Sequence, residues 1–156
     1  MRMTKKEMIS EMIATFEKQL AAFTGRKIRL LVVDYDKANE STLSRPEIED
    51  MMKRNFELAF GIHSFSIDRK TRRQPYPETR FGYFYLHRQY FPKYPLKELG
   101  KQLGFFGKDG IGDHTAPIFG IEKHKEFYNT DDNYTTCFNR AVYRIEKALT
   151  EKVEAI

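Results

Sequence analysis

Apolar side chains recur at the three- and four-residue spacing of an α-helix in six segments of this chain, and glycine or proline closes most of those segments. The first segment has Met8, Met12, Phe16 and Leu20 on one face, and Gly25 follows its last turn. The predicted helices cover residues 4–23, 46–60, 78–91, 96–103, 113–128 and 134–149. The spacing therefore predicts a mainly α-helical bundle.

A short β-branched run at residues 28–33 predicts one strand near the N-terminus. The sequence offers that strand no partner, so two arrangements stay open. The strand pairs with its copy in a homodimer, or it packs at the edge of the helices. We accordingly divide the chain into an N-terminal appendage of helix and strand, residues 1–45, and a helical domain, residues 46–156.

The composition narrows the class of protein. The chain has 156 residues, of which 40% are hydrophobic and 14% aromatic, and this is enough to fold a core. Its single cysteine, Cys137, excludes a disulfide framework and fits a reducing compartment. The N-terminus lacks an uninterrupted apolar signal core, and no apolar run approaches the roughly 20 residues of a membrane helix. We therefore expect a cytoplasmic protein with no membrane partner.

Positive charge is concentrated in the middle of the chain. Residues 62–101 contain nine Lys and Arg against three Asp and Glu, a net charge of +6, whereas residues 1–61 carry +1 and residues 102–156 carry −2. The segment DRKTRR, residues 68–73, lies near the start of this basic stretch. Clustered positive charge is typical of polyanion binders, although a solvated basic loop has the same composition.

The sequence gives little support to enzymatic chemistry. Asp113, His114, His124 and Asp131 lack a metal-ligand spacing, and ten residues of helix would put the two histidines about 15 Å apart. Cys137 has neither a glycine-rich elbow nor a neighbouring histidine, so it fits a small core residue. No phosphate-cradling glycine loop occurs, which argues against a bound nucleotide. The sequence predicts no enzyme, no metal and no cofactor.

Residues 96–128 have the order of a helix-turn-helix. A short helix, LKELGKQLG, and a glycine-rich turn, FFGKDGIG, precede a second helix that opens with Asp113, His114 and Thr115. In such motifs the second helix enters the major groove of DNA. Asp or Thr at a helix start also serves as a cap alone, because its oxygen accepts an unpaired backbone N–H. Both roles stay open for this triplet.

Aromatic residues crowd the third predicted helix, RFGYFYLHRQYF. Rings of this kind stack on nucleobases in single-strand binders. The helical spacing of Phe81, Phe84, Tyr85 and Phe91 fits a core-facing stripe better. We therefore predict that these rings belong to the core.

From about residue 47 to residue 149 the chain resembles the C-terminal DNA-binding domain of the bacterial replication initiator DnaA, a helical domain of the Trp-repressor-like superfamily. The segment ELAFGI resembles the end of that family's first helix, DRKTRR its basic loop, and LKELGKQLG the first helix of its helix-turn-helix. Asp113, His114 and Thr115 resemble the opening of its recognition helix. The break at residues 130–132 resembles the one before its last helix.

The resemblance implies an accessory of replication or transcription that binds double-stranded DNA with sequence preference. His114 and Thr115 would contact base edges in the major groove, and Asp113 would cap the helix and accept from a cytosine amino group. Arg73 would enter the adjacent minor groove. Phosphate contacts would come from Arg72, Arg88, Lys97, Lys101 and Lys123.

The chain departs from that family in two places. Its turn is several residues longer, and Pro117 stands where the family has an aliphatic residue. If Asp113 is the N-cap, Pro117 forfeits a helical hydrogen bond, whereas with Thr115 as the N-cap it forfeits none. The rival interpretation is a protein-interaction module that keeps the fold without DNA binding, and such a module would expose an apolar patch.

Overall fold

A computed structural model of the protein describes residues 2–30, 41–62, 67, 72–108 and 110–154. The helices are α1 (Lys5–Thr24), α2 (Arg45–Phe60), α3 (Tyr76–Tyr90), α4 (Leu96–Gln102), α5 (Thr115–Thr130) and α6 (Asp132–Glu154). The predicted mainly α-helical fold is confirmed. Residues 26–30 form no strand, and the rest of the predicted strand, residues 31–33, lies outside the described residues. The chain divides into two units, Met1–Val32 and Val33–Ile156.

In the first unit, α1 begins and ends where the sequence predicts. Thr4 and Glu7 form a capping box, in which each side chain accepts a hydrogen bond from the other residue's backbone N–H. Gly25 closes the helix in the left-handed conformation at φ 69°. No residue of α1 is buried. Self-association through this N-terminal segment stays a prediction.

The second unit begins its helical part with a capped helix. The Ser44 side chain accepts from the Glu47 N–H, and Pro46 occupies the first turn, where a missing N–H costs no hydrogen bond. Gly61 ends α2 at φ 77°. These local signals explain why the predicted bounds of α2 agree with the structure.

One core is formed by α2, α3, α4 and α6, and α5 packs against it with partly buried side chains. The most extensive packing is between α3 and α5 and between α2 and α6. Phe56 of α2 lies near its centre, with its ring 6.2 Å from Tyr83 and 5.9 Å from Phe138. Buried side chains of α3 are Tyr83, Phe84, Leu86 and Tyr90, and Tyr85 and Phe91 pack against them partly buried. The core interpretation is therefore confirmed for Phe84, Tyr85 and Phe91. Phe81 is only half-buried and lies outside the core, with its ring 5.9 Å from Phe119 and from Phe127. Leu58 of α2, in contrast, is exposed to solvent.

A polar cluster is buried between α2, α3 and α4. Glu49 Oε2 accepts from the Gln102 side-chain amide and lies 2.7 Å from His87 Nε2. The Tyr83 hydroxyl donates to Gln102 Oε1 at 2.9 Å, and Gln102 Nε2 donates to the Tyr94 hydroxyl at 3.0 Å. We call these five residues the buried polar cluster. It ties the last residue of α4 to both neighbouring helices.

The charges of this cluster are set by its surroundings. Burial alone raises the pKa of Glu49, but hydrogen bonds from His87 and Gln102, together with the charge of Arg45, outweigh it and hold that pKa below its usual value. Burial lowers the pKa of His87, and Glu49 offsets this only in part. At neutral pH the pair is therefore an anionic Glu49 that accepts from a neutral His87, with Arg45 2.6 Å from the other carboxylate oxygen.

Candidate nucleic-acid interface

The turn between α4 and α5 is a small hairpin rather than a simple loop. Phe106 and Gly112 form an antiparallel bridge, and the Gly107 N–H donates to the Ile111 carbonyl at 2.6 Å. At the base of the hairpin, the Asp113 N–H donates to the Phe105 carbonyl at 3.0 Å. These bonds satisfy the backbone groups of a turn that is longer than a helix-turn-helix needs.

Two glycines let the hairpin base lie directly on α4. A β-carbon at Gly112 would lie 1.8 Å from the Lys97 carbonyl oxygen, and one at Gly100 would lie 2.1 Å from the Asp113 carbonyl oxygen. No side chain fits at such distances, so both positions require glycine as long as the backbones stay this close. The position of the residues that open α5 is thus fixed relative to α4.

The triplet at the start of α5 forms a cap in an unexpected register. His114 occupies the N-cap position without a side-chain hydrogen bond, and Asp113 supplies the cap from one residue earlier. Asp113 Oδ1 accepts from the Thr115 hydroxyl at 2.6 Å and from its backbone N–H at 2.8 Å. These bonds, the hydroxyl first, hold the pKa of Asp113 below its usual value. Pro117 falls in the first turn, and the Ile118 N–H makes the bond to His114, so Pro117 costs no helical hydrogen bond.

The cap also limits what Thr115 offers to a ligand. Its hydroxyl hydrogen is donated to Asp113, so the methyl group and the oxygen lone pairs are what remain. The exposed His114 ring takes no part in the cap. Of the three residues, His114 is the one whose polar atoms are not used to start the helix.

A recess of about 320 Å³ brings the predicted DNA contacts together with one residue that was not predicted. Its lining comes from α4, the hairpin and the start of α5: Lys97, Gly107, Lys108, Gly112, Asp113 and His114. Lys101 borders it, because its β-carbon lies 3.1 Å from where one on Gly112 would be. We call this group the recess. Lys108 stands between two glycines in FFGKDGIG, and that placement in the turn was the available signal for it.

The other predicted contacts lie outside the recess. Arg72 and Arg73 are exposed just before α3, and the Arg73 carbonyl accepts from the Tyr76 N–H. Arg88, on the last turn of α3, donates to the Tyr94 carbonyl at 3.0 Å. Lys123 lies 3.1 Å from the Glu126 carboxylate on its own helix. The recess therefore collects Lys97, Asp113 and His114, with Lys101 and Thr115 beside them.

The exposed side of α5 is less basic than its role in the resemblance implies. Lys123 pairs with Glu126, and Lys125 lies 3.6 Å from Glu122. Ile118 and Phe119, one turn into the helix, are 45% and 56% exposed. Positive charge is thus found on α4 and the hairpin, while the exposed first turns of α5 carry apolar side chains.

His124 has a structural environment. It is buried, its Nδ1 lies 2.7 Å from the Tyr134 hydroxyl, and its ring stacks on Tyr85 at 3.9 Å. Burial, with a smaller effect of Lys125, lowers the pKa of His124 to about 4. In the part of the chain that the structure describes, no three His, Cys, Asp or Glu side chains come close enough to hold a metal ion. None of the helices described there is long and apolar enough to cross a bilayer.

A comparison of the chain with protein-family models, with curated protein sequences and with solved structures gives no match. The resemblance to the DnaA domain therefore rests on the quoted segments alone. The recess and the exposed face of α5 are the features of the structure that bear on function.

Proposed function

We propose that this protein binds double-stranded DNA through α4, the hairpin and the start of α5. The observation that supports the proposal is the recess, where Lys97 and Lys108 line one concave surface and Lys101 borders it. The Asp113 carboxylate, which also lines the recess, is held by its hydrogen bonds from Thr115. Cationic side chains that converge on a concavity favour an anionic group such as a backbone phosphate. The second helix of the motif starts at this point, as it does in helix-turn-helix proteins.

Sequence preference would come from the residues next to the recess. His114 offers an exposed ring with both nitrogens outside the cap, and Thr115 keeps its methyl group for a thymine contact. Arg73 as a minor-groove contact, and Arg72, Arg88 and Lys123 as phosphate contacts, stay predictions of the resemblance. This division separates residues that position the duplex from residues that read it.

The first experiment is a salt titration of a fluorescently labelled duplex by anisotropy. If about four to six phosphates are contacted, the logarithm of the association constant should fall against the logarithm of salt concentration with a slope of roughly −4 to −5. Affinity that stays constant between about 50 and 200 mM salt, or no binding at low salt, would contradict the proposal.

The variants Lys97→Ala, Lys101→Ala and Lys108→Ala should each weaken binding to every duplex about equally and reduce the salt slope by about one. Lys147→Ala, an exposed lysine on α6, is the matched control and should leave both unchanged. His114→Ala should cost roughly 1–3 kcal/mol on a preferred site and little on random duplex. Equal effects of Lys147→Ala and Lys97→Ala would mean that only the net charge matters.

A second candidate function is protein–protein interaction, favoured by the exposed Ile118 and Phe119. Two large apolar side chains on an exposed helix face, beside charges that neutralise one another, are typical of an interaction surface. This interpretation uses the same helix and needs no positive recess.

Sedimentation of the wild type and of Ile118→Ser separates the two functions. A wild type that self-associates and binds no duplex, together with a monomeric Ile118→Ser, would favour interaction. A monomeric wild type that binds duplex, with affinity reduced by Ile118→Ser, would instead place this face in the groove. Thermal unfolding of both proteins controls for stability, since a half-exposed side chain contributes little to folding.

A further inference from the structure

A second cavity lies where the chain turns from α3 into α4, just before Lys97 of the recess. Its volume is about 510 Å³, within the range of small-molecule sites. Its walls are Arg45, Tyr90, Phe91, Lys93 and Tyr94, with two prolines between them. We call it the aromatic cavity. Neither the core nor the proposed DNA contacts account for it.

The walls combine rings with cations. Three of the lining residues are aromatic, and the Arg45 guanidinium lies 4.4 Å above the centre of the Tyr94 ring. The exposed Lys93 adds a second positive charge. Flat apolar walls favour a planar ring, and the two cations favour a negative group attached to it.

The acid that pairs with Arg45 does not cancel this preference. Glu49 takes one of the five N–H groups of Arg45, at 2.6 Å, and also accepts from Gln102 and His87. Its negative charge is thus held within the buried polar cluster, while Arg45, whose side chain is 40% exposed, keeps further donors. A ligand anion at the cavity would share Arg45 with Glu49.

We propose that the aromatic cavity binds a small planar aromatic anion and that this ligand regulates the helix-turn-helix. The link runs through three side chains: Arg45 contacts Glu49, and Glu49 contacts Gln102 at the end of α4. A ligand anion that binds Arg45 weakens its contact with Glu49 and so changes the hydrogen bond between Glu49 and Gln102, which holds the end of α4. The position of Lys97 and of the hairpin changes with α4. The binding half stands independently, whereas the regulatory half rests on the proposed DNA binding.

The probe is 2-naphthoate, titrated into isotopically labelled full-length protein and followed by backbone amide chemical shifts. We expect saturable binding with a Kd of about 1 mM or tighter, as suits a ligand of this size. Shifts should be largest at residues 90–95, and smaller concurrent shifts at Lys97 and Gly112 should report the coupling to the recess. Cyclohexanecarboxylate, which lacks the flat ring, and 2-naphthylmethylammonium, which reverses the charge, should each bind about tenfold more weakly.

Lys93→Glu tests the charge without disturbing the fold, because Lys93 is exposed in the turn. It should weaken 2-naphthoate binding about tenfold. Lys147→Glu makes the same charge change on the exposed side of α6 and should have no effect. No saturation by about 10 mM, equal binding of the cationic probe, or equal effects of the two variants would overturn the site.

Duplex affinity measured with and without saturating 2-naphthoate tests the regulatory half. We expect a change of about fivefold in the wild type and none in Lys93→Glu. Wild-type protein that binds duplex equally well with and without the probe would overturn regulation. If the wild type binds no duplex at all, the regulatory half and the proposed function both fail, while the chemical shifts still decide whether the cavity is a binding site.

Discussion

The short helix α4 carries polar side chains into two different surroundings. At its C-terminal end, Gln102 enters the buried polar cluster, where it contacts Glu49, Tyr83 and Tyr94. Along its outer side, Lys97 faces the recess and solvent. Polar groups in the first environment are partnered by the protein, whereas those in the second remain available to a ligand. We therefore expect changes in the cluster to alter folding, and changes in the recess to alter binding.

The largest effect should come from Glu49→Ala. The change removes the acceptor that serves His87, Gln102 and Arg45 and leaves those groups buried or half-buried without it. A buried donor left without its acceptor costs about 1–3 kcal/mol, so with both His87 and Gln102 affected we expect a loss of about 3–5 kcal/mol. Asp50→Ala, the exposed neighbour on α2, is the control and should change the free energy of unfolding by less than about 0.5 kcal/mol. Urea unfolding measures the free energy of unfolding of both variants. Similar losses in the two would contradict the expectation that the buried polar cluster stabilises the fold more than surface residues do.

The second-largest effect should be a dependence of stability on pH that comes from His124, which is buried and contacts the Tyr134 hydroxyl. Because burial lowers the pKa of His124 from 6.5 to about 4, the unfolded chain binds its proton first as the pH falls. The contribution of the neutral, buried His124 to the free energy of unfolding is fully present above about pH 6.5. It is lost as the pH falls from 6.5 to 4, and the total loss is about 3 kcal/mol. His87, whose pKa burial also lowers, acts in the same direction.

Unfolding at several pH values in the wild type and in His124→Phe measures this contribution. The variant keeps a ring against Tyr85 but has no proton to bind, so its stability should depend less on pH below 6.5. The control is His114→Phe, a change of an exposed histidine, and it should keep the wild-type dependence of the free energy of unfolding on pH. An unchanged slope in His124→Phe would show that burial does not separate the two environments.

The smallest effect should come from Asp113→Ala. Loss of the cap on α5 should cost about 1 kcal/mol, since the first turn keeps its tertiary contacts. Asp113→Asn retains a side-chain oxygen for the Thr115 N–H and should cost less. Because hydrogen bonds lower the pKa of Asp113, this contribution is present above its usual pKa and is lost as the pH falls below it. A loss as large as that of Glu49→Ala would mean that the cap belongs to the core.

The bounds of the helices could be predicted from the sequence, because they depend on residues that are neighbours in the chain. Ser44 and Gly61 bound α2, and Gly25 ends α1, because caps act within one turn. The predicted start of α3 is two residues late, since Pro77 fits the first turn of a helix that begins at Tyr76. Capping residues, glycines and prolines within one turn of a helix end therefore determine where these helices begin and end.

Contacts between distant residues could not be predicted in this way. Glu49 and His87 are 38 residues apart in the sequence. Both lie on the faces of their helices where the helical spacing predicts apolar core residues, so the spacing gives no sign that they pair. The bridge between Phe106 and Gly112 depends on how the turn lies on α4, which the length of the turn does not reveal. Of the two capping alternatives for the triplet, the one with Asp113 agrees with the structure, because its side chain accepts from the Thr115 N–H. The helix starts one residue later than that alternative places it, since His114 occupies the N-cap position.

The contact of Gly112 with α4 has a practical consequence for engineering. The hairpin is held at its base, where Gly112 and Gly100 bring the two backbones together, while the turn beyond closes on itself through the Gly110 N–H and the Gly107 carbonyl. The far end, including Lys108, can therefore be lengthened, shortened or labelled without redirecting α5. A dye or a cross-linker attached at position 108 would report on whatever enters the recess, while α5 keeps its position relative to α4.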